Sequence, residues 1–518
     1  MPGPAGQVVK NCYMQGLSEL NRELLDASAL CRQLVPQRSV EAFLADHRHE
    51  LFPDEMFEDL FLSNRGRPSI PADTVASVMV LQALEGLSDR DAARALTDRI
   101  SWKVACGLAL DEEGFDYSVL TYWRSRLRHS DRPERIFEAV RQVIEATGVL
   151  QGKTRRALDS TLLDDAVATQ DTVTQLVAAI RRVRRVVPGA SEVTLVAHDY
   201  DAAGKPLIAW DDEVARGELV NALVNDALAV LDACAEVEEP ESASAIGLLA
   251  LVAGQDVELD EQGRWRIVRG VAKDRVISVV DPEARHMHKS RSEYRDGYKA
   301  HLCVEPETGL ITAAALTPAS APDGPNGVKL LEGESPGLQV LADGAYGSGE
   351  TLAALGDARH QRAIKPHPTH SAVPGGFHRD DFVIDHAART ATCPAGHVVK
   401  LTKNNNAVFA QRCAGCPLRD RCTTSKQGRM LHLSAHDAEL VESRRAWRDG
   451  DFISDYRKYR PMVERSIAWL VRDHYRRVRF RGVEKNQMGL TIRVAAINLR
   501  RLINLGLTLE ETWVLRAT

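Results

Sequence analysis

The spacing of apolar residues changes character several times along the chain. From about residue 15 to 150 apolar positions recur at helical spacing. Residues 74–84 are almost continuously apolar, as a buried helix requires, and Gly86 ends the run. Ser88-Asp89-Arg90-Asp91 follows, with Ser88 placed to cap the next helix and Asp91 completing a weak capping box. Further short helices are predicted from Trp102 and from Ser118, the latter carrying Tyr122, Trp123, Arg124, Arg126 and Arg128. Short helices with brief breaks fit a helix-turn-helix arrangement, and the arginines and aromatics of the Ser118 helix suit DNA phosphates or base edges. The competing expectation is a small helical bundle whose Trp and Tyr are core.

From 151 to 365 the pattern turns to short β-like runs, at 156–162, 276–280, 298–305, 309–316, 338–342 and 362–364. Two of them flank Pro306-Glu307-Thr308-Gly309 as a hairpin. Between the first two runs lies an interruption, about 165–270, predicted helical at 171–186 and 216–236. Residues 366–435 are rich in Pro, Gly, His, Asn and Cys, and read as a second inserted module. Helices return over 436–518, the last spanning about 487–505. The chain is thus expected to be an α/β core in two parts (151–365 and 436–518), interrupted twice and preceded by an all-α domain, 1–150.

Charge sharpens this outline. The net charge of −6 conceals an acidic stretch, residues 225–262, with ten Asp or Glu and no Lys or Arg. Residues 452–504 carry 13 Lys or Arg against 4 Asp or Glu. A protein acidic as a whole can still bind nucleic acid through one such basic segment. No apolar run reaches the roughly 18 residues a membrane span needs. Met1-Pro2-Gly3-Pro4-Ala5-Gly6 lacks the order of a signal peptide, so a cytoplasmic protein is expected.

Three acids have settings that suit a metal-bound carboxylate. Asp159 falls within a predicted strand, where a charge is costly without a partner. Asp343 closes the run 338–342, at the strand end where α/β sheets bind ligands. Glu464 lies near the stripe Val463, Ile467, Leu470 and Val471, and is expected to point inward from its helix. Together they could hold two Mg²⁺ ions, with Mn²⁺ able to substitute, for phosphodiester chemistry.

These residues carry a family resemblance over about 60–505. Leu158-Asp159-Ser160-Thr161, Leu341-Ala342-Asp343-Gly344-Ala345-Tyr346 and Tyr459-Arg460-Pro461-Met462-Val463-Glu464-Arg465 resemble the three acid-bearing motifs of a DDE transposase of a bacterial insertion sequence. Asp281-Pro282-Glu283-Ala284-Arg285-His286 with Gly297-Tyr298-Lys299-Ala300-His301 is similar to its second-strand region, and Arg65-Gly66-Arg67-Pro68 to the start of its DNA-binding region. The resemblance implies an RNase-H-like core with Asp159, Asp343 and Glu464 catalytic. The related signature Tyr-x2-Arg-x3-Glu-x6-Lys is met at Arg460 and Glu464, but Arg457 and Val471 stand at its Tyr and Lys positions. Tyr456 and Arg472 lie beside them, and Arg460 and Arg472 are candidates for the terminal-phosphate contacts.

Arg476, Arg477, Arg479, Arg481 and Lys485, interleaved with Tyr475 and Phe480, suit a groove for backbone phosphates. Cys393-x19-Cys413-x2-Cys416-x5-Cys422 has a spacing that fits a structural Zn²⁺ site in a module with little core, with unligated thiols as the alternative. His286, His288, His367 and His370 read as polar surface residues. The resemblance implies cleavage and strand transfer at the terminal inverted repeats of an element, by a homodimer acting on double-stranded DNA. A DNA-binding descendant that no longer cleaves, and a general RNase-H-like nuclease, are the rival expectations.

Overall fold

The computed structural model describes residues 13–18, 25–61, 65–288 and 293–516. Met1–Gly6 and Cys12 lie outside them. Six helices make up most of the N-terminal part: α1 (Val40–Leu51), α2 (Ala72–Glu85), α3 (Asp89–Asp98), α4 (Ile100–Cys106), α5 (Ser118–Arg128) and α6 (Arg135–Ala146). The end of α2 and the start of α3 are set locally. Gly86 takes the left-handed conformation, φ 70°, that closes α2, and Ser88 accepts the Asp91 N–H at the start of α3. Trp123 of α5 is core, packed edge-on against Phe57 and Phe61.

The central sheet has six strands: β1 (Arg155–Asp164), β2 (Arg285–His288), β3 (Tyr294–Val304), β4 (Ile311–Pro318), β5 (Gln339–Ala342) and β6 (Gln361–Ile364). β3 is antiparallel to β1 on one side, and to β4 and β2 on the other. β5 is parallel to β1 and β6 parallel to β5, giving the order β6-β5-β1-β3 and then β4. In the turn between β3 and β4, the Glu305 carboxylate accepts the Glu307 and Thr308 N–H groups.

The run 276–280 is not a strand, beyond one bridge from Val276 to Arg285. Side chains of the first insertion take its peptide groups instead: Gln255 accepts the Val276 N–H, and Gln175 donates to the Val276 carbonyl. The strand that forms here is β2, a few residues later. The insertion holds α7 (Thr172–Val186), α8 (Glu213–Ala233) and α9 (Pro240–Gln255), with their own core of Leu176, Ile180, Leu223, Leu249 and Val252. The helix α9 lies in the acidic stretch and was not foreseen as a separate element.

α10 (Asp323–Lys329) and α11 (Gly349–Asp357) follow β4 and β5, and the last quarter adds α12 (Asp437–Asp449), α13 (Ile453–Tyr459), α14 (Pro461–Leu470) and α15 (Val483–Asn504). α15 covers the edge strand β4, where Asn498 exchanges both hydrogen bonds with the Ile311 backbone at 2.9 and 2.8 Å. Its opposite side packs on α2 and α6, so one helix joins the N-terminal helices to the sheet. Among the described residues no helix is long and apolar enough to cross a membrane.

Candidate active site

Strand alternation turns Asp159 of β1 toward α14. Asp343 ends β5, and its carboxylate accepts the Ala345 N–H at 3.0 Å, which fixes the turn after the strand. α13 ends at Arg460, where Pro461 opens α14; Pro lacks the N–H a helix interior needs but suits a first turn. Glu464 is one turn further on.

Arg460 gathers all three acids. Its Nη2 lies 3.0 Å from Asp159 Oδ2 and 3.9 Å from Asp343 Oδ2, and its Nη1 lies 3.4 Å from Glu464 Oε1. The Arg460 side chain is 5% exposed, that of Asp159 15% and that of Glu464 65%. Glu464 therefore does not point into the core: Val463, Ser466 and Leu470 fill the buried face of α14, and Glu464 meets the site from the solvent side. This corrects the expectation drawn from its apolar neighbours.

The electrostatics follow from depth. Burial, aided by Asp343, pushes the Asp159 carboxyl up to about 6 against the opposing pull of Arg460 and the Ser160 N–H. Burial pulls Arg460 down, but Asp159, Tyr456 and Asp343 outweigh it and hold the guanidinium above its ordinary value. Burial raises the Tyr456 hydroxyl, which lies within the field of Arg460, Asp343, Glu464 and Asp159. Tyr456 is thus at the site, one residue from the signature's Tyr position. His367 also stands close, its ring within 3.3 Å of where a Gly344 Cβ would be. Motif spacing had set Tyr456 beside the signature's Tyr position, whereas nothing in the spacing pointed to His367.

Carboxylate oxygens are hard ligands of the kind Mg²⁺ takes, and the charge of Arg460 stands among them. Among the described residues, no three His, Cys, Asp or Glu side chains form a group that could hold an ion as they stand, here or elsewhere.

Residues 392–503, which include Arg460, Glu464 and nearly all of α15, match the family model described as Transposase DDE domain. Residues 26–126, which include α1 to α4 and most of α5, match the model described as Transposase domain (DUF772). Together these matches indicate a transposase. The sheet order and the DDE match agree on an RNase-H-like core for this transposase. DDE transposases as a family use divalent metal. Comparisons with curated proteins and with solved structures found no match. Asp159 and Asp343 lie outside both matched segments, so their place at the site rests on geometry.

The basic residues divide into two groups. Arg124 is turned inward, paired with Asp89, 3.4 Å from Gln82 and stacked over Phe480, which leaves it little surface for a phosphate. Arg128 reaches Glu484 at 3.7 Å, and Arg126 lies over the Phe61 and Tyr122 rings. Arg476 donates to Thr161 Oγ1 and Leu162 O, and Arg479 to the Gly86 and Leu87 carbonyls, so both tie the basic segment to its neighbours. Arg477 donates to Asp165 O yet stays exposed; Arg472 lies over Trp469 at the surface. Arg481 and Lys485 are exposed. The outward-facing cations are thus mainly Arg472, Arg477, Arg481 and Lys485.

Cys393, Cys413, Cys416 and Cys422 line one cavity of about 20 Å³, together with His397 and Arg419. Burial raises the Cys422 thiol, and the other three cysteines add to the effect. All four are free thiols, and Zn²⁺ is not supported by their arrangement as it stands.

Proposed function

We propose that this transposase binds the terminal inverted repeats of an insertion sequence, cleaves a DNA strand at each end and transfers the freed 3′-hydroxyl to target DNA. Asp159, Asp343 and Glu464 are the catalytic acids and would hold two Mg²⁺ ions, or Mn²⁺ in their place. When bound, such ions activate the attacking oxygen and neutralise the leaving one. Asp159, carried in a rigid strand, offers an ionised carboxylate above about pH 6. Arg460 offsets part of the charge of the three acids, and the exposed Arg472, Arg477, Arg481 and Lys485 would draw the DNA backbone toward the protein. Because an element has two ends, a homodimer would act on the paired ends.

The observation that carries this reading is the meeting of three acids, from segments 184 and 121 residues apart, on one guanidinium. A supercoiled plasmid carrying the gene with its flanking DNA is the test substrate. The wild-type protein should nick it with Mg²⁺ or Mn²⁺ and not in EDTA, while Asp343→Asn should lower the rate by about three orders of magnitude. Equal nicking by the variant would remove the proposal.

The reading extends to the cysteine module, where a bound Zn²⁺ would stiffen a small core. The proposal starts from the cysteine spacing and from the four thiols lining one cavity, although they do not form a metal-holding group as they stand. Purified protein should then contain about one zinc per chain, lost in Cys413→Ser together with the module's resistance to protease. Metal-free protein with the same protease resistance would argue for plain thiols.

A further inference from the structure

The side of β1 turned away from α14 is held by a second set of polar contacts. Ser160 Oγ donates to Asp323 Oδ1 at 2.6 Å. Lys299 Nζ, on the paired strand β3, lies 3.3 Å from Asp323 Oδ2 and donates to Ala321 O at 2.8 Å. The His301 ring is fully buried, with Nδ1 3.7 Å from Asp323 Oδ1 and Nε2 2.9 Å from Thr317 Oγ1. The first residue of α10 is thereby tied to two strands, immediately beside Asp159.

The same helix meets the turn that follows Asp343. A Cβ on Gly327 would stand 2.6 Å from the Tyr346 ring and 3.1 Å from Leu158, and one on Gly324 would stand 2.0 Å from Thr351 Oγ1. The helix backbone therefore lies directly on the ring three residues after Asp343. The Tyr346 hydroxyl is buried and has no well-aligned hydrogen-bond partner among the described residues. A contact that served cohesion alone would be met more cheaply by apolar side chains than by a part-buried carboxylate facing lysine and serine. What the polar set adds is direction, which a site built from residues on separate strands requires.

We propose that Asp323 is a positioning residue: with the Gly327 seat, it makes α10 a clamp that sets the spacing between Asp159 and Asp343. The inference rests on the function proposed above, because spacing matters only where both acids serve one site. Ser160 transmits the Asp323 contact to the adjacent Asp159, whose own carboxylate accepts the Ser160 N–H at 2.8 Å. Tyr346 transmits the pressure of α10 to Asp343. Neither Asp323 nor Ser160 is assigned contact with DNA.

Ser160→Ala removes the hydroxyl while leaving the Asp323 and Lys299 charges paired, so it is the gentler test. Nicking of the same plasmid should slow by about tenfold and need about tenfold more Mg²⁺ for half its maximal rate, at an unchanged Tm. Ser160→Thr keeps the hydroxyl and should recover both. Gly327→Ala, through Tyr346, should also raise the Mg²⁺ requirement. A wild-type Mg²⁺ requirement in Ser160→Ala overturns the clamp, whether or not Tm falls, provided that Asp159→Asn is inactive. Should Asp159→Asn nick normally, the functional reading itself fails, and the clamp with it.

Discussion

Asp159→Asn is expected to abolish nicking and, in the absence of metal, to make the protein more stable at neutral pH. The two effects have one cause. The Asp159 carboxyl is pushed up from 3.8 to about 6, mainly by burial, so its ionised form is disfavoured in the folded chain. The penalty is absent below pH 3.8, grows as pH rises to about 6, and is complete above. At roughly 1.4 kcal/mol per pH unit its ceiling is about 3 kcal/mol at pH 7, with the opposing pull of Arg460 already included. In EDTA, Asp159→Asn should therefore melt a few degrees above the wild type at pH 7 and level with it at pH 4. The rate of nicking should fall by about three orders of magnitude. A lower Tm at pH 7 would mean that the ion pair to Arg460 outweighs the burial cost.

The largest loss of stability is expected at Arg493. This α15 side chain is 2% exposed. It donates to the Ala83 and Leu84 carbonyls at the end of α2 and, at 2.8 and 3.0 Å, to those of Trp469 in the last turn of α14 and Arg472 just after it. Its guanidinium also lies 4.7 Å over the Tyr475 ring. Four acceptors from two parts of the chain thus depend on one cation. Arg493→Ala should cost about 3–5 kcal/mol, because the carbonyls lose their donors and a cavity remains. Urea unfolding should show the midpoint shift. Limited proteolysis should cut between α2 and α14 sooner than in the wild type, while Arg493→Lys should recover part of the loss. A midpoint within about 1 kcal/mol of wild type would show that water replaces the side chain.

Much of this arrangement was legible before any coordinates. Ser88 caps the helix whose start it marked, and Asp171 caps the helix predicted to begin with it, because a cap depends on residues within one turn. β1, β3, β4, β5 and β6 fall within a few residues of the apolar runs that announced them. The run 276–280 looked the same and formed no strand; Gln175 and Gln255 take the Val276 peptide groups and Gln170 the Val279 N–H instead. Glu464 shows the same limit: its neighbours suggested a buried acid, yet the stripe that packs is Val463, Ser466 and Leu470.

The basic residues show it once more. An arginine on a helix carries no mark of whether it will meet Asp89, as Arg124 does, or stay at the surface like Arg481. Asp323 had no motif to announce it, and its role as proposed comes from a contact 163 residues away in sequence.

Alone, the sequence determined the order of most helices and strands, the three acid-bearing motifs and the cysteine spacing, because each is written in neighbouring residues or in a short signature. Only the tertiary structure decided that Arg460 would stand among the acids, that Arg124 would turn inward and that α10 would sit beneath both aspartates. Those outcomes depend on which distant side chains compete for the same buried charge, and the cost of burying a charge is set by everything around it.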